Sequence, residues 1–351
     1  MIFNMSGGGS TVSYKFYFEI TGDPGAAVTA TGPDELSGTI GSDGNLTLTA
    51  TVPGTYTISA TLDDQASLPV TLVAADDGTT YQADCSFLVE HASLEEYSAT
   101  ELRRIADDLA AKGASSTKYE EFHGYLTNGA TWKTSLVGLD SFASENQILE
   151  ARIIGINHDT ATEGGTAGLT FQAIHALPYA FQTNESDTTS GGWESSKMRT
   201  TLNSGEVWQM LPTDLQSNLV SVQKITNNVS GNSNSSDVSE TSDKVFLLSY
   251  AEYVAKSYWS GTIANEGEQY EYWNGKVTNN YSGNSALIPL TTCRDGSAYA
   301  SHEGSLFAGP SWERSPDPTN AANFCRVNSL GDPSHSNNAS YGMGVTPGFS
   351  F

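Results

Sequence analysis

One stretch sets reactive residue types side by side. In RIIGINHD (152–159), His158 and Asp159 follow an apolar run and have the chemistry of an acid–base pair or of two metal ligands. The simpler expectation is that they close a turn at a strand end through side-chain to backbone hydrogen bonds. His175, in AIHALP, reads as a core or loop histidine. Asp295, Asp317 and Asp332, with several Asn residues, offer oxygen ligands of the kind a calcium ion takes. Cys85, Cys293 and Cys325 are odd in number, far apart and free of any CxxC pair, so no zinc or redox site is expected; Cys293 and Cys325 have the option of meeting in the fold, but two buried free thiols are expected. The chain contains no HExxH, no G-x-S-x-G elbow, no P-loop and no dinucleotide fingerprint. The expectation is a non-catalytic protein with no cofactor and no metal.

Binding is the remaining class, and composition narrows it. A net charge of −24 opposes nucleic acid as partner, since phosphate neutralisation needs Lys and Arg. The first basic residue is Lys15 and the first arginine Arg103. Hydrophobic residues make up 38% and charged residues only 16%, which fits a β-rich globular chain with a polar, weakly ionic surface. No stretch approaches the ~20 apolar residues of a membrane span, so no membrane insertion is expected. The start MIFNMSGGGSTVSYK has neither a basic nor an apolar signal region, and no secretory signal is expected.

At 351 residues the chain has room for two or three domains. Residues 1–13 read as a flexible leader. From Lys15 onward the period is two: Phe16, Phe18, Ile20; Leu46, Leu48, Ala50; Tyr56, Ile58, Ala60; Leu68, Val70, Leu72; Tyr81, Ala83, Cys85. Turn signals GDPG, GSDGN, PGT and DDGTT separate these runs, so 14–92 is expected to be an immunoglobulin-like β-sandwich. SATELRRIADDLAAKG (98–113) then reads as a capped helix, with Ser98 and Glu101 as the capping box and Gly113 as its end. It gives a helical connector over 93–118. From 119 to 351 the expected elements are a strand in ILEARIIGINHD, helices in 191–205 and 211–222, and a polar bridge at 227–243. Long loops pinned by Trp259, Tyr270, Tyr272, Trp273 and Tyr281 follow. The expected fold class is α+β and β-rich.

The segments RIIGINHD, GGWESSKMRTTLNSG, LPTDLQS, SDKVFLLSYAEY, WERSP (312–316), FCRVNSLGD and GVTPGFSF stand in an order that resembles the variable proteins of diversity-generating retroelements. Those proteins have a C-type-lectin-like fold of the formylglycine-generating-enzyme subtype. The resemblance covers roughly residues 120–351. It implies a C-terminal domain at 119–351 that shows a diversifiable surface to a host-surface protein or glycan. Such a surface must lie on loops whose side chains change while the backbone survives. Ser311, Glu313, Asn320, Asn323, Arg326, Asn328, Asp332, Ser334, His335, Asn337 and Tyr341 are expected to form it. Tyr341, His335 and Arg326 are expected to carry most of the energy. Trp312, Phe324, Val327, Val345, Pro347, Phe349 and Phe351 would be the frame, with GVTPGFSF as a buried strand paired centrally near the domain's first strand.

The resemblance also implies an address. A virion protein needs no secretion signal, because lysis releases it, so a phage tail or receptor-binding protein is expected, with a bacterial surface protein as the alternative. Weak single sites favour a homo-oligomer, a trimer by analogy with phage fibres. Two competitors are a purely structural virion protein and a formylglycine-generating-type enzyme. The enzyme needs a close cysteine pair, and the spacing of Cys293 and Cys325 does not match. The sugar-binding motifs Glu-Pro-Asn and Trp-Asn-Asp are absent, so calcium-dependent glycan binding is not expected.

Overall fold

The computed structural model describes residues 15–62, 65–67, 69–75, 79–85, 87–228, 238–255, 266–277, 293–294, 299–300, 306–307 and 309–351. The leader, Leu68, part of the polar bridge (229–237), Trp259, Tyr281 and Asp295 lie outside these residues. The described chain is β-rich with a minority of helix, an α+β arrangement. It divides into two compact units, 1–90 and 91–351.

The first unit follows from its period-two pattern. Its strands are β1 (Phe16–Thr21), β2 (Ala27–Thr31), β3 (Leu36–Thr39), β4 (Asn45–Ala50), β5 (Gly54–Leu62), β6 (Gln65–Ala66), β7 (Val70–Ala74) and β8 (Thr80–Asp84). Alternate residues of β1 are buried, so each strand turns one face inward. One sheet has the order β4-β1-β8, with β1 and β8 parallel; the other has β3-β2-β5-β6, with β7 also on β5. Phe16, Phe18 and Ile20 from the first sheet share one core with Val28, Ala30, Tyr56, Ile58 and Ala60 from the second. The Tyr56 hydroxyl donates to the Val52 carbonyl at 2.7 Å, giving a buried ring a partner for its one polar atom.

The second unit opens with α1 (Ala99–Lys112) and α2 (Tyr119–Asn128). The Ser98 and Glu101 capping box is formed, and Gly113 ends α1 with φ at 54°. The apolar stripe Leu102, Ile105, Ala106 and Leu109 is fully buried. Helix and sheet approach so closely that a Cβ on Gly168 would lie 1.9 Å from the Ala106 carbonyl oxygen, so only glycine fits there. The expected connector is therefore part of the second unit's core.

The strands β9 (Thr131–Ser135), β10 (Ile148–Ile156) and β11 (Leu169–Ala173) come next. The helices α3 (Lys197–Asn203), α4 (Glu206–Met210) and α5 (Thr213–Asn218) follow, three where two were expected. Then come β12 (Val222–Asn227), β13 (Val238–Asp243), β14 (Val245–Phe246) and α6 (Tyr250–Val254). The last elements are β15 (Tyr299–Ala300), β16 (Leu306–Phe307), β17 (Ser311–Pro316), β18 (Asn323–Val327), β19 (His335–Asn338) and β20 (Gly348–Ser350).

A five-stranded sheet runs β14-β20-β11-β10-β9, so the C-terminal strand is enclosed on both edges. Its partners are β11 and β14; β9, the unit's first strand, is at the far edge. Phe349 stacks on Phe171 with centroids 5.7 Å apart, and Phe351 meets Phe171 edge-on at 5.5 Å and Trp132 at 6.1 Å. Burying each such ring contributes about 1.5–3 kcal/mol. All seven expected frame residues are buried. Tyr270, Tyr272 and Trp273 are also in the core.

Candidate ligand-contact surface

The segment from Ser311 to Tyr341 forms a three-stranded antiparallel sheet, β17-β18-β19, with two turns. Across β18 and β19, Arg326 faces His335, Phe324 faces Asn337, and Cys325 faces Ser336. Alternation puts Arg326, His335 and Asn337 on the same face as the buried Trp312 and Phe324, and Cys325 and Ser336 on the opposite one. Trp312 and Phe324 anchor the sheet from inside, and the Trp312 Nε1 donates to the Phe181 carbonyl at 2.8 Å.

Both turns are held by short polar side chains. Asp317 Oδ1 accepts from the Thr319 backbone and hydroxyl at 2.7 and 2.8 Å, and Asn320 Oδ1 accepts from the Ala322 N–H at 3.0 Å. Asn328 Oδ1 accepts from the N–H groups of Leu330 and Asp332, at 2.8 and 3.0 Å, around Gly331 with its φ of 81°. Asp332 accepts from the Ser334 N–H at 2.8 Å, and its other oxygen is 3.4 Å from His335 Nε2.

The β19 edge is largely closed by its own neighbours. Arg326 Nε donates to the Ser336 carbonyl at 3.2 Å, the Tyr341 N–H donates to the Asn338 carbonyl at 3.0 Å, and Asn337 Oδ1 accepts from the Asn338 N–H at 2.9 Å. Asp187, from a distant loop, accepts from Asn338 Nδ2 at 2.8 Å and from the Ser340 N–H and hydroxyl at 3.2 and 2.5 Å. The Ser340 bonds hold the Asp187 carboxyl below its usual range. This edge therefore offers solvent its side chains more than free backbone.

The eleven expected contact residues divide into three groups. Tyr341 is 53% exposed and Asn320 is exposed, while Asn323, Arg326, Asn328, Asp332, His335 and Asn337 are partly exposed. Ser311, Glu313 and Ser334 are corrected: all three are buried. Ser311 opposes Val327 on a strand whose every residue is buried, and the Ser334 hydroxyl is hydrogen-bonded to Tyr250. Asn320, Asn328 and Asp332 are tied to turn backbone. Arg326, His335, Asn337 and Tyr341 remain as side chains that can change with least effect on the turns. Leu330, at 68% exposure, joins the surface although its type gave no sign of it.

Beneath lies a buried ionic cluster that the sequence did not announce. Lys224 Nζ is 2.5 Å from Asp159 Oδ1 and 3.2 Å from Glu252 Oε1, donates to the Tyr270 hydroxyl at 2.6 Å, and sits 3.8 Å from the centroid of the Phe246 ring. Arg314 reaches both Glu252 oxygens, the Thr226 hydroxyl, and the carbonyls of Ile225, Leu247 and Glu266. Burial pushes the Asp159 and Glu252 carboxyls up, but Lys224 beside the first and Arg314 beside the second hold both below the usual range. Asp159 is thus held in a structural ion pair, and His158 stacks on Tyr270 at 4.1 Å.

Two further carboxyls form no ion pair among the described residues. Burial pushes Glu266 up to about 7 and Glu313 well above the usual range. Cys85, Cys293 and Cys325 are buried free thiols; Cys293 packs with Ala176 and Ala180, and Cys325 with Val327 in a separate cluster. Among the described residues no group of three His, Cys, Asp or Glu side chains could hold a metal ion, and no helix is long and apolar enough to cross a membrane. Asp317 and Asp332 instead hold turns.

A family described as "Domain of unknown function (DUF6273)" matches residues 144–351, more than half of the chain. A search of curated proteins finds no match.

Proposed function

The chain belongs to the DUF6273 family, whose description states no activity, and we propose that it is a non-catalytic recognition protein whose contact surface is formed by the solvent-reaching side chains of β18 and β19 with the adjoining turns. One observation carries this reading. Within a single segment, buried frame residues are interspersed with solvent-reaching side chains that are not tied to the backbone of its two turns. Phe324 and Val327 are fully buried, while His335 and Tyr341 reach solvent. Such a segment can exchange contacts without losing its fold.

The finer reading rests on the resemblance in sequence. The second unit is proposed to be a C-type-lectin-like variable domain of the diversity-generating retroelement kind. The first unit is proposed to be an immunoglobulin-like module, which its two facing sheets and the Tyr56 corner support. The assembly would be a homo-oligomer on a phage tail, with a bacterial cell surface as the alternative location. Its ligand would be a host-surface protein or glycan, engaged through Arg326, His335, Asn337 and Tyr341.

The test is retention of the labelled full chain on intact bacterial cells. Wild type should be retained by some strain, and R326A/H335A/N337A/Y341A should be lost from it while keeping the wild-type melt. Equal retention of both proteins would overturn the assignment of the face. Diversification has its own test at the locus. A near-copy of the C-terminal coding region, differing only at adenines and lying beside a reverse transcriptase gene, is the expected finding.

A further inference from the structure

Both carboxyl oxygens of Glu313 and the hydroxyl of Ser311 are buried with no hydrogen-bond partner among the described residues. An ionised carboxylate in such a place would need a counter-charge or several donors. The groups that feel its charge come from every side. Arg314 adjoins it on β17, Cys325 and Arg326 lie on β18, Asp332 precedes β19, Tyr250 and Tyr253 belong to α6, and Glu266 leads towards Tyr270.

Only two of these are cations. Arg314 already binds Glu252 through two nitrogens, and Arg326 donates to the Ser336 carbonyl. Glu266 and Asp332 oppose a further negative charge. The cluster as a whole holds four buried carboxyls, Asp159, Glu252, Glu266 and Glu313, against Lys224 and Arg314. The two carboxyls without a cation partner among the described residues are the two that burial pushes above the usual range.

We propose that Glu313 is a buried proton latch: while its carboxyl is neutral the β17-β18-β19 sheet stays closed, and release of that proton to solvent opens the sheet and withdraws the contact face. The trigger is local because Glu313 lies in the sheet itself, against Cys325 and next to Trp312. A group raised in the folded state adds stability below its unfolded pKa, and that stability is lost as pH rises through the folded value. The sheet therefore weakens towards alkaline pH. Its consequence for binding rests on the proposed function; the opening of the sheet does not.

Hydrogen exchange on the full chain from about pH 5 to about pH 9, corrected for intrinsic rates, reads the latch directly. Wild type should lose protection in 323–327, by about tenfold per pH unit between the unfolded and the folded pKa of Glu313. Glu313→Gln, which keeps the shape of the neutral acid, should flatten that fall, and Glu313→Leu should do the same. Glu266→Gln should leave the fall in β18 in place. A flat wild-type profile, or equal falls in wild type and both Glu313 variants, would overturn the proposal whether or not the face binds anything. A fall removed by Glu266→Gln would move the latch to Glu266 and overturn it equally.

Discussion

Arg314 and Glu252 meet side-on inside the second unit, with Nη2 3.0 Å from Oε1 and Nη1 2.5 Å from Oε2, and neither side chain reaches solvent. Glu252 also completes the capping box of α6 through the Ser249 N–H. One ion pair thus ties the short helix to β17, an edge strand of the β17-β18-β19 sheet. Arg314→Met takes the two-nitrogen partner from the buried Glu252 carboxylate, leaving it Lys224 at 3.2 Å, and should cost about 3–5 kcal/mol. Chemical denaturation of the second unit's transition measures it, and a loss below about 1 kcal/mol would mean that the pair is not desolvated.

Glu266 gives the second unit a pH dependence of known sign. Its folded value of about 7 lies above the unfolded one, so stability is full below the unfolded range and falls as pH rises through about 7. Thermal melts across that window should decline in wild type and decline less in Glu266→Gln. A wild-type melting temperature that rises with pH over the same window would contradict the assignment.

The aromatic group around the C-terminal strand should be indispensable. Removing Phe349, Ser350 and Phe351 deletes the strand between β11 and β14 and empties the space facing Phe171 and Trp132. A single Phe to Ala change in a core costs about 3–5 kcal/mol, so losing both rings and the ladder should abolish the unit's cooperative transition. Near-ultraviolet circular dichroism and exchange in residues 144–351 report the loss.

Much of this fold was legible because local chemistry and global packing agree. Alternation along Phe16, Phe18 and Ile20 marked a half-buried strand, and Ser98 with Glu101 marked the start of α1. The apolar run of GVTPGFSF marked a buried end. The ionic cluster was not legible, because its members lie far apart in sequence: 65 residues separate Lys224 from Asp159 and 62 separate Arg314 from Glu252. Glu313 and Ser311 misled for a related reason. Polar residues are usually outside, and nothing in WERSP tells an exposed Glu from one kept neutral in a core. The clue was Trp312 beside them, which already required an interior strand.

The turn residues should separate from the freely exchangeable ones. Asn328→Ala removes the acceptor for two backbone N–H groups and should cost about 1 kcal/mol, whereas Asn337→Ala should fall within about 0.5 kcal/mol of wild type. Denaturant midpoints measure both, and equal costs would show that the 328–332 turn does not depend on its Asn.

The central claim is that a fixed frame carries side chains that can be exchanged for recognition. Its most direct test is a displayed library of the full chain randomised at Arg326, His335, Asn337 and Tyr341, selected against a defined folded target protein. The account predicts binders whose melts stay close to that of the parent and whose binding is lost when the four parental residues are restored. A library that yields no binders, or binders only among chains with a collapsed melt, would contradict it.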